Sequence, residues 1–179
     1  RSTLFPYTTL FRSSYINFEV YEDGVNFCGI SSATLPDLAF MTQQLNGPGI
    51  AGNVEAVLTG MMEAMNLTLN FKNATDGAIK LASPQRHNID MRVAEQYWDT
   101  QKVLKGISAD KYIMVVIPKS TKPGSVAPAS AASASGEYSV YYYAGYRDGK
   151  KLWEVDPWNY ICIINGVDYM KDVRKALGK

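Results

Sequence analysis

Single-residue alternation of apolar and polar side chains is the pattern that most constrains the fold of this chain. From Met65 to Lys72 every second residue is apolar (Met65, Leu67, Leu69 and Phe71), and the residues between them are polar. Successive side chains of a β-strand point to opposite faces, so this segment is predicted to be a strand with one face in a core. The same alternation recurs from Asn88 to Val93.

Two-residue turn signals connect several of the predicted strands. Asp-Gly and Asn-Gly pairs favour tight β-hairpins, because both residues tolerate the positive φ that these turns need. The predicted units are a hairpin Ile16–Ile30 around Asp23-Gly24, strands Tyr138–Tyr146 and Lys151–Asp156 around Asp148-Gly149, and a strand Tyr160–Ile164 closed by Asn165-Gly166. Strands that return through tight turns, without regular helical crossovers, indicate an antiparallel sheet. The fold class is therefore predicted as mainly β, an antiparallel β-sandwich or barrel.

Two short helices are expected beside the strands. Asp76 can start a helix over Gly77–Ala82, and Asp168 can cap a C-terminal helix. The apolar stripe of the second helix would be Met170, Val173 and Leu177, with Gly178 as its stop.

The remaining segments carry weaker signals. Met41–Gly52 is predicted to be a loop, and Val54–Met65 fits either a short amphipathic helix interrupted by Gly60 or an extended arm. Lys111–Pro118 is nearly continuously apolar, which predicts a strand covered on both faces. The Ala/Ser-rich segment 123–136 is predicted to be a flexible solvated loop within the same domain. Pro36, in Thr34–Leu38, predicts a strand edge or end.

The first thirteen residues look foreign to the rest of the chain. Thr3–Ser13 reads TLFPYTTLFRS, which resembles the translation of a common sequencing-adapter oligonucleotide. We therefore predict that residues 1–13 are an artefact outside the fold and pack poorly, and that residues 14–179 form a single domain.

Composition narrows the range of functions and locations that this protein could have. The chain has 18 Lys and Arg against 17 Asp and Glu, so its net charge is +1 and lacks the basic footprint of a dedicated nucleic-acid binder. The sequence shows no apolar run long enough for a membrane span and no signal peptide, so no membrane insertion is expected. Cys28 and Cys162 lie in apolar runs and are predicted to be reduced buried thiols, with a disulfide as the alternative.

A search for catalytic chemistry finds little. His87 is the single histidine, and no nucleophile or orienting partner can be named for it, so a surface or hydrogen-bonding role is expected. No catalytic residue and no cofactor site are predicted. No metal site is predicted either, since no pair of candidate ligands has the spacing of a zinc site. Tyr141–Tyr143 with Arg147 could stack single-stranded nucleic acid, but strand propensity explains the tyrosines better. Met61, Met62 and Met65 fit an interface and a core equally well.

Several strings occur in an order that points to a family. They are the hairpin Ile16–Ile30, Thr34–Leu38, Gly60–Met65, Asp148-Gly149, Glu154–Asn159 (EVDPWN), Ile163–Asp168 (IINGVD), Arg174 and Leu177-Gly178. Together they resemble the major tail tube proteins of contractile-tailed phages and the related R-type bacteriocins. The chain departs from the family pattern at the loop 123–136 and over Gln96–Ala109.

The resemblance implies a non-catalytic structural subunit. Members of this family form hexameric rings whose inner sheets join into one barrel, and the rings stack into a tube. It implies an arm at about residues 40–65 that reaches neighbouring subunits. The expected oligomer interface is Leu35, Pro36, Leu38, Phe40, Leu45, Ile50, Val54, Val57, Leu58, Met61 and Met62. The expected lumen-facing residues are Asn66, Thr68, Asn70, Asn88 and Asp90, whose weak charge would suit a wall that DNA passes without binding.

The partners implied by the resemblance are further copies of the chain, the tail sheath protein, the tape-measure protein, baseplate or initiator proteins, and passing DNA that is not specifically bound. The expected location is the virion tail, assembled in the bacterial host cytoplasm. One alternative is the tube of a headless contractile particle, such as an R-type bacteriocin or an injection system. An alternative of another class is a monomeric β-sandwich module that holds a carbohydrate on Tyr97, Trp98, Trp153 and Trp158. A β-barrel enzyme is a third, and the scarcity of acid–base candidates counts against it.

Overall fold

The computed structural model describes residues 10–26, 29–99 and 104–179. Within these ranges the chain forms twelve β-strands, two α-helices and one 3-10 turn, Pro157–Asn159. The strands are β1 Leu10–Glu22, β2 Val25–Asn26, β3 Ile30–Thr34, β4 Phe40–Leu45, β5 Val54–Met62, β6 Met65–Phe71, β7 His87–Asp99, β8 Leu104–Lys122, β9 Ala134–Arg147, β10 Lys150–Asp156, β11 Ile161–Ile164 and β12 Val167–Asp168. The helices are α1 Asp76–Leu81 and α2 Lys171–Ala176. The predicted fold class, mainly antiparallel β with a short internal helix and a C-terminal helix, is confirmed.

The main sheet is organised around β9. Its strands run in the order β12-β11-β10-β9-β8-β7-β1-β2, and all of these pairs are antiparallel. One edge of β9 pairs with β8 along most of its length. The other edge pairs first with β6, through residues 134–140, and then with β10, through residues 143–147. Because β6 also pairs with β3, the sheet forks at β9 into two branches.

A β-bulge in β9 lets the strand serve both branches. Val140 pairs with Val116 and Tyr142 with Val115, so Tyr141 has no partner in the β8 ladder. One extra residue reverses which side chains face the core. Tyr138 and Val140 are buried before the bulge, and Tyr143 is buried after it. The three consecutive tyrosines therefore lie where the core-facing side of β9 changes register, and they do not form a continuous stripe on one face.

The predicted turns have the expected geometry. The φ angles are 48° and 82° at Asp23-Gly24, 48° and 79° at Asp148-Gly149, and 50° and 80° at Asn165-Gly166. Positive φ at both central residues is the type I′ conformation, whose twist matches that of the flanking strands. The Asn and Asp side chains tolerate this region, and glycine adopts it without a steric penalty.

The core lies on one face of the forked sheet. The predicted alternation in β6 is confirmed, since Met65, Leu67, Leu69 and Phe71 are all buried. Other core residues come from β7, β8, β9, β10, β11 and α1: Ile89, Met91, Val93, Tyr112, Met114, Val116, Tyr138, Val140, Tyr143, Val155, Cys162, Ala78 and Leu81. Tyr112, Tyr143 and Trp153 form an aromatic cluster, with ring centroids of Tyr143 and Trp153 5.4 Å apart.

Two predictions about the first third of the chain are corrected. The hairpin around Asp23-Gly24 forms, with its returning strand β2 described over Val25–Asn26, but β3, which begins at Ile30, pairs with β6 instead of β1. The prediction of a loop over Met41–Gly52 is wrong up to Leu45, because Phe40–Leu45 is β4. For Val54–Met65 the extended alternative is found, since Val54–Met62 is β5. Both strands were hard to recognise because neither carries a regular apolar face.

Two predictions about the second half are also corrected. Lys111–Pro118 is a strand, but only Tyr112, Met114 and Val116 are buried, and Ile117 on the other face is 36% exposed. The described residues therefore fully bury only one face of this strand. The Ala/Ser-rich loop ends at residue 133, and Ala134 begins β9 with 2% exposure.

The chain's first described residues belong to β1. The backbone of Leu10–Arg12 pairs with Tyr97–Asp99 of β7, so this strand begins before the predicted boundary at Ser14. The adapter origin of residues 1–13 stays a prediction, and residues 1–9 lie outside the described ranges. Cys162 is a buried free thiol, and its burial raises the pKa of the thiol; Cys28 lies outside the described residues.

The helices differ from their predicted caps. Thr75, and not Asp76, caps α1, because its side-chain oxygen accepts a hydrogen bond from the Ala78 backbone N–H. Helix α2 begins at Lys171 without a side-chain cap; Asp168 instead accepts from the Met170 N–H and pairs with Arg174. Of the predicted stripe only Met170 is buried, while Val173 and Leu177 are 39% and 54% exposed. Gly178 ends the helix as predicted, at φ 71°.

Truncation of one core side chain on β6 should be costly. Leu67 is fully buried, so Leu67→Ala removes its contacts and leaves a cavity, with an expected loss of about 2–5 kcal/mol in the free energy of unfolding. Thr68→Ala on the opposite face of the same strand should cost under about 0.5 kcal/mol. Urea denaturation of the unassembled subunit measures both, and equal losses for the two variants would contradict the assignment of faces.

The ion pair between Asp168, which precedes α2, and Arg174, within α2, predicts that the stability of the subunit depends on pH. The hydrogen bond from Arg174 lowers the pKa of Asp168 below its usual value. Ionised Asp168 thus favours the folded state, and this contribution is present above the unfolded pKa of about 3.9 and lost as the pH falls through the lower folded pKa. We expect the wild type to be more stable than Asp168→Asn at neutral pH, with a difference that closes below about pH 4 in urea titrations. Asp172→Asn is the matched control, and a pH-independent difference for Asp168→Asn would refute the pairing.

Candidate assembly interface

The strands β4 and β5 form a hairpin that pairs with no other described strand. Leu45 lies opposite Val54, Gln43 opposite Ala56 and Thr42 opposite Val57. A two-stranded hairpin is marginally stable in water unless something packs on it. We call residues 40–62 the arm.

Most of the apolar side chains on the arm are uncovered in the single chain. The large exposed ones are Met41, Leu45, Ile50, Val54, Val57 and Met61, with 40–56% of each residue accessible. The arm has no Lys or Arg, and its only charged residue is Glu55. An exposed apolar surface on a protruding element is typical of a protein–protein contact.

The root of the arm is held firmly on the body. The Glu63 N–H donates a hydrogen bond to the Ala39 carbonyl at 2.8 Å, which closes the hairpin at its base. Gly60 is buried with φ 87°, and a Cβ there would lie 2.5 Å from Sδ of Met170. The backbone conformation therefore favours glycine at this position, and an added Cβ would force the Met170 side chain to move.

The eleven residues predicted for an oligomer interface fall into two groups. Five of them contact the subunit's own body: Pro36 is buried, and Leu35, Leu38, Phe40 and Met62 are partly buried against the core. Five lie exposed on the arm, namely Leu45, Ile50, Val54, Val57 and Met61, and Leu58 is half-buried. The first group positions the arm, and the second is free to contact another molecule.

The five residues predicted to face a lumen lie on a single face of the main sheet. Asn66, Thr68 and Asn70 project from β6 opposite to the buried Leu67 and Leu69. Asn88 and Asp90 project from β7 opposite to the buried His87, Ile89 and Met91. Strands β8 and β9 join these two strands in the same sheet, so the five side chains share the face that points away from the core.

Charges on this polar face are paired both within a strand and across neighbouring strands. Oδ2 of Asp90 lies 3.2 Å from Nη2 of Arg92 and 3.4 Å from Nζ of Lys111. Nζ of Lys119 lies 3.6 Å from Oε1 of Glu137 and donates a hydrogen bond to Oδ1 of Asn66 at 3.0 Å. These cations are thus partly neutralised within the subunit.

An aromatic groove on the same side of the sheet was missed by sequence reasoning. Its volume is about 620 Å³, and it is lined by Arg86, Val115, Ile117, Tyr141, Tyr142 and Trp158. The bulge at Tyr141 creates it by turning both Tyr141 and Tyr142 away from the core. A bulge of one residue leaves no signature in composition, although three consecutive tyrosines break the alternation and were the available signal.

His87 is fully buried, so of its two expected roles, a surface position and hydrogen bonding, the second is found. Its Nδ1 lies 2.5 Å from Oε1 of Glu22, and its Nε2 lies 3.0 Å from the Ser83 carbonyl oxygen. This arrangement ties α1 to the ends of β1 and β7. Over residues 10–26, 29–99 and 104–179, no group of three or more His, Cys, Asp or Glu side chains is placed to hold a metal ion.

The tryptophans proposed for a sugar platform do not lie together. Trp153 packs against Tyr112 and Tyr143 beside the core. Trp158 is 73% exposed in the 3-10 turn and lines the aromatic groove, while Trp98 lies near the end of β7. Among the described helices, none has the length and apolar character to cross a membrane.

Comparison with solved structures finds chains from contractile injection system structures and from a prophage baseplate. A chain from a cryo-EM structure of an extracellular contractile injection system, the PVC sheath/tube terminator in the extended state, is 13% identical, covers 73% of this chain and 94% of its own, and has a TM-score of 0.50. A chain from the PVC sheath–tube complex is 15% identical, covers 72% and 87%, and has a TM-score of 0.47. A chain from the anti-feeding prophage baseplate is 10% identical, covers 72% and 90%, and has a TM-score of 0.43. At such identities the likeness to the first concerns the fold alone.

Comparison with curated proteins gives no match. A family model, described as phage tail tube protein FII, matches residues 13–178. This match covers nearly the whole described chain, including the arm, the polar face and the C-terminal helix. The chain therefore belongs to the phage tail tube protein FII family.

Proposed function

We propose that this subunit forms hexameric rings that stack into the tube of a contractile phage tail, and that its role is structural and non-catalytic. The observation that carries the proposal is the arm, a two-stranded hairpin most of whose large apolar side chains are exposed in the described chain. Family membership indicates which kind of assembly to expect, and the exposed apolar surface of the arm gives the physical reason for assembly.

The exposed arm residues are the proposed contact between copies. Leu45, Ile50, Val54, Val57 and Met61 would be buried on a neighbouring subunit, and Leu58 would move from half-buried to buried. Each large apolar side chain removed from water contributes roughly 1.5–3 kcal/mol at full burial. The five residues that contact the subunit's own body would hold the arm in its orientation. They are Leu35, Pro36, Leu38, Phe40 and Met62.

Sheet edges give a second reason for ring formation. The strand β2 has two residues and ends one side of the main sheet, while β12, also of two residues, ends the other. An open sheet edge presents unpaired N–H and C=O groups, and closure into a barrel across subunits satisfies them. A head-to-tail ring of this kind leaves an axial direction open for stacking.

The polar face is the proposed wall of the conduit. Asn66, Thr68, Asn70, Asn88 and Asp90 would face a lumen through which DNA passes without specific binding. The proposed partners are the tail sheath protein around the tube, the tape-measure protein within it during assembly, and baseplate or initiator proteins at its end. The proposed location is the virion tail, assembled in the bacterial host cytoplasm.

A headless contractile particle is the second candidate. The likeness in fold to a chain of an extracellular contractile injection system favours it. Genes next to this one separate the two candidates: capsid and terminase genes indicate a phage, and their absence indicates a headless particle.

A charge on the arm should prevent assembly without unfolding the subunit. Val57 is 56% exposed, so Val57→Asp leaves the core intact, but burial of the new carboxylate at a contact would be strongly unfavourable. We expect negative-stain electron microscopy to show rings or tubes for the wild type and none for Val57→Asp, with unchanged circular dichroism. Val126→Asp, at a fully exposed position in the Ala/Ser-rich loop, is the matched control and should assemble normally.

Two outcomes would argue against the proposed assembly. One is a wild-type protein that stays monomeric at high concentration in sedimentation velocity. The other is a Val57→Asp variant whose tubes are as abundant as those of Val126→Asp, since the arm would then not be the contact.

A further inference from the structure

Asp90 lies at the centre of a charged cluster on the polar face. It projects from β7 between Arg92 on the same strand and Lys111 on β8, and the one oxygen Oδ2 serves both cations, at 3.2 and 3.4 Å. The side chains of Arg92 and Lys111 are 58% and 44% exposed, whereas that of Asp90 is 27% exposed. The carboxylate therefore lies beneath two cations that reach further into solvent.

The cluster extends to β1. Tyr21 donates a hydrogen bond from its hydroxyl to Glu19, and the guanidinium of Arg92 lies 4.6 Å from the centre of the Tyr21 ring. These contacts hold Arg92 against the sheet. Oδ1 of Asp90 is buried and has no hydrogen-bond partner among the described residues, so the carboxylate is not fixed by other donors. Its structural interactions are mainly with the two cations.

Without the Asp90 charge the same geometry would attract phosphate. Arg and Lys side chains close together are the usual ligands of a nucleic-acid backbone, through charge-assisted hydrogen bonds. Neutralisation of phosphates releases counterions, so each additional free cation raises the affinity for DNA steeply at low salt. A ring multiplies the effect, because each subunit would present the same pair of cations to one strand of phosphates.

We propose that Asp90 keeps this face from binding DNA, because it pairs with both Arg92 and Lys111 within the subunit and so lowers the positive charge that they present to solvent. The inference rests on the proposed function, in which the face lines the conduit. It deepens that function, because passage of a polyanion then depends on a specific intramolecular pairing and not only on a low number of charges. Glu137 has the corresponding place opposite Lys119 near β6, at 3.6 Å.

The test compares DNA binding by assembled tubes of four forms: wild type, Asp90→Asn, Asp90→Asn with Lys111→Gln, and Asp172→Asn. The probe is a fluorescein-labelled DNA duplex of about 20 base pairs, titrated by fluorescence anisotropy at about 50 and 200 mM salt. Asp90→Asn is nearly isosteric and removes the carboxylate that both cations share, while Glu19 stays opposite Arg92 on β1. The double variant restores the net charge, and Asp172→Asn makes the same charge change on α2, away from the polar face.

We expect Asp90→Asn to bind the duplex at least about tenfold more tightly than the wild type at the lower salt, with the gain lost at the higher salt. The double variant should return to the wild-type level, and Asp172→Asn should not differ from it. If Asp90→Asn binds no better than Asp172→Asn, the proposal is wrong. If Asp90→Asn does not assemble, the same titration on unassembled subunits decides, because both cations are exposed in the single chain.

A labelling experiment separates this inference from the proposed function. Asn88→Cys, next to Asp90 on the same face, is treated in tubes with a small maleimide and with a maleimide on a large polymer. A cysteine that reacts with the small reagent and is protected from the large one faces the lumen, and an absent Asp90→Asn effect then overturns the inference alone. A cysteine that reacts equally with both overturns the proposed wall, whatever Asp90→Asn does.

Discussion

The pairing of β9 with three strands is the constraint on which the rest of the structure depends. A strand has two edges, and β9 gives one to β8 and divides the other between β6 and β10. The division works because the bulge at Tyr141 reverses the alternation where the partner changes, so that the core side of β9 stays apolar along both branches. The fork places β3 and β6 on one side and β10, β11 and β12 on the other. The arm, inserted between β3 and β6, pairs with neither branch.

This topology leaves the arm as the exposed apolar part of a folded subunit. The core is closed by residues of the subunit itself, whereas the arm carries large apolar side chains that the described residues leave exposed. The face opposite to the core has the reverse character, with amides and paired charges beside an aromatic groove. The exposed arm is thus the surface that we propose for permanent contact, and the polar face is the one that we propose for passage of a charged polymer. In this proposal the second property would depend on how charges are paired and not only on composition.

Local sequence patterns predicted the strands that pack against the core. They failed for strands or faces that do not pack against this core. Leu67 and Leu69 in β6 and the turns at Asp148-Gly149 and Asn165-Gly166 followed directly from alternation and turn chemistry. The strand β4 was missed because Thr42, Gln43 and Gln44 face solvent on both sides of the hairpin. The apolar run in β8 was interpreted as covered on both faces, but Ile117 stays 36% exposed among the described residues. The arm and its position were expected from the family resemblance, whereas the pairing of Asp90 with Lys111 required the register between β7 and β8.

Backbone hydrogen exchange in the arm tests most directly whether other copies complete the subunit. In unassembled subunits the amides of β4 and β5 should exchange rapidly, because the hairpin has no packed layer, while those of Leu67 and Leu69 in β6 should be protected. In assembled tubes we expect exchange in the arm to slow by at least about 100-fold, with little change in β6. Arm amides that are already as protected as those of β6 in the isolated subunit, or that still exchange rapidly in tubes, would contradict the account.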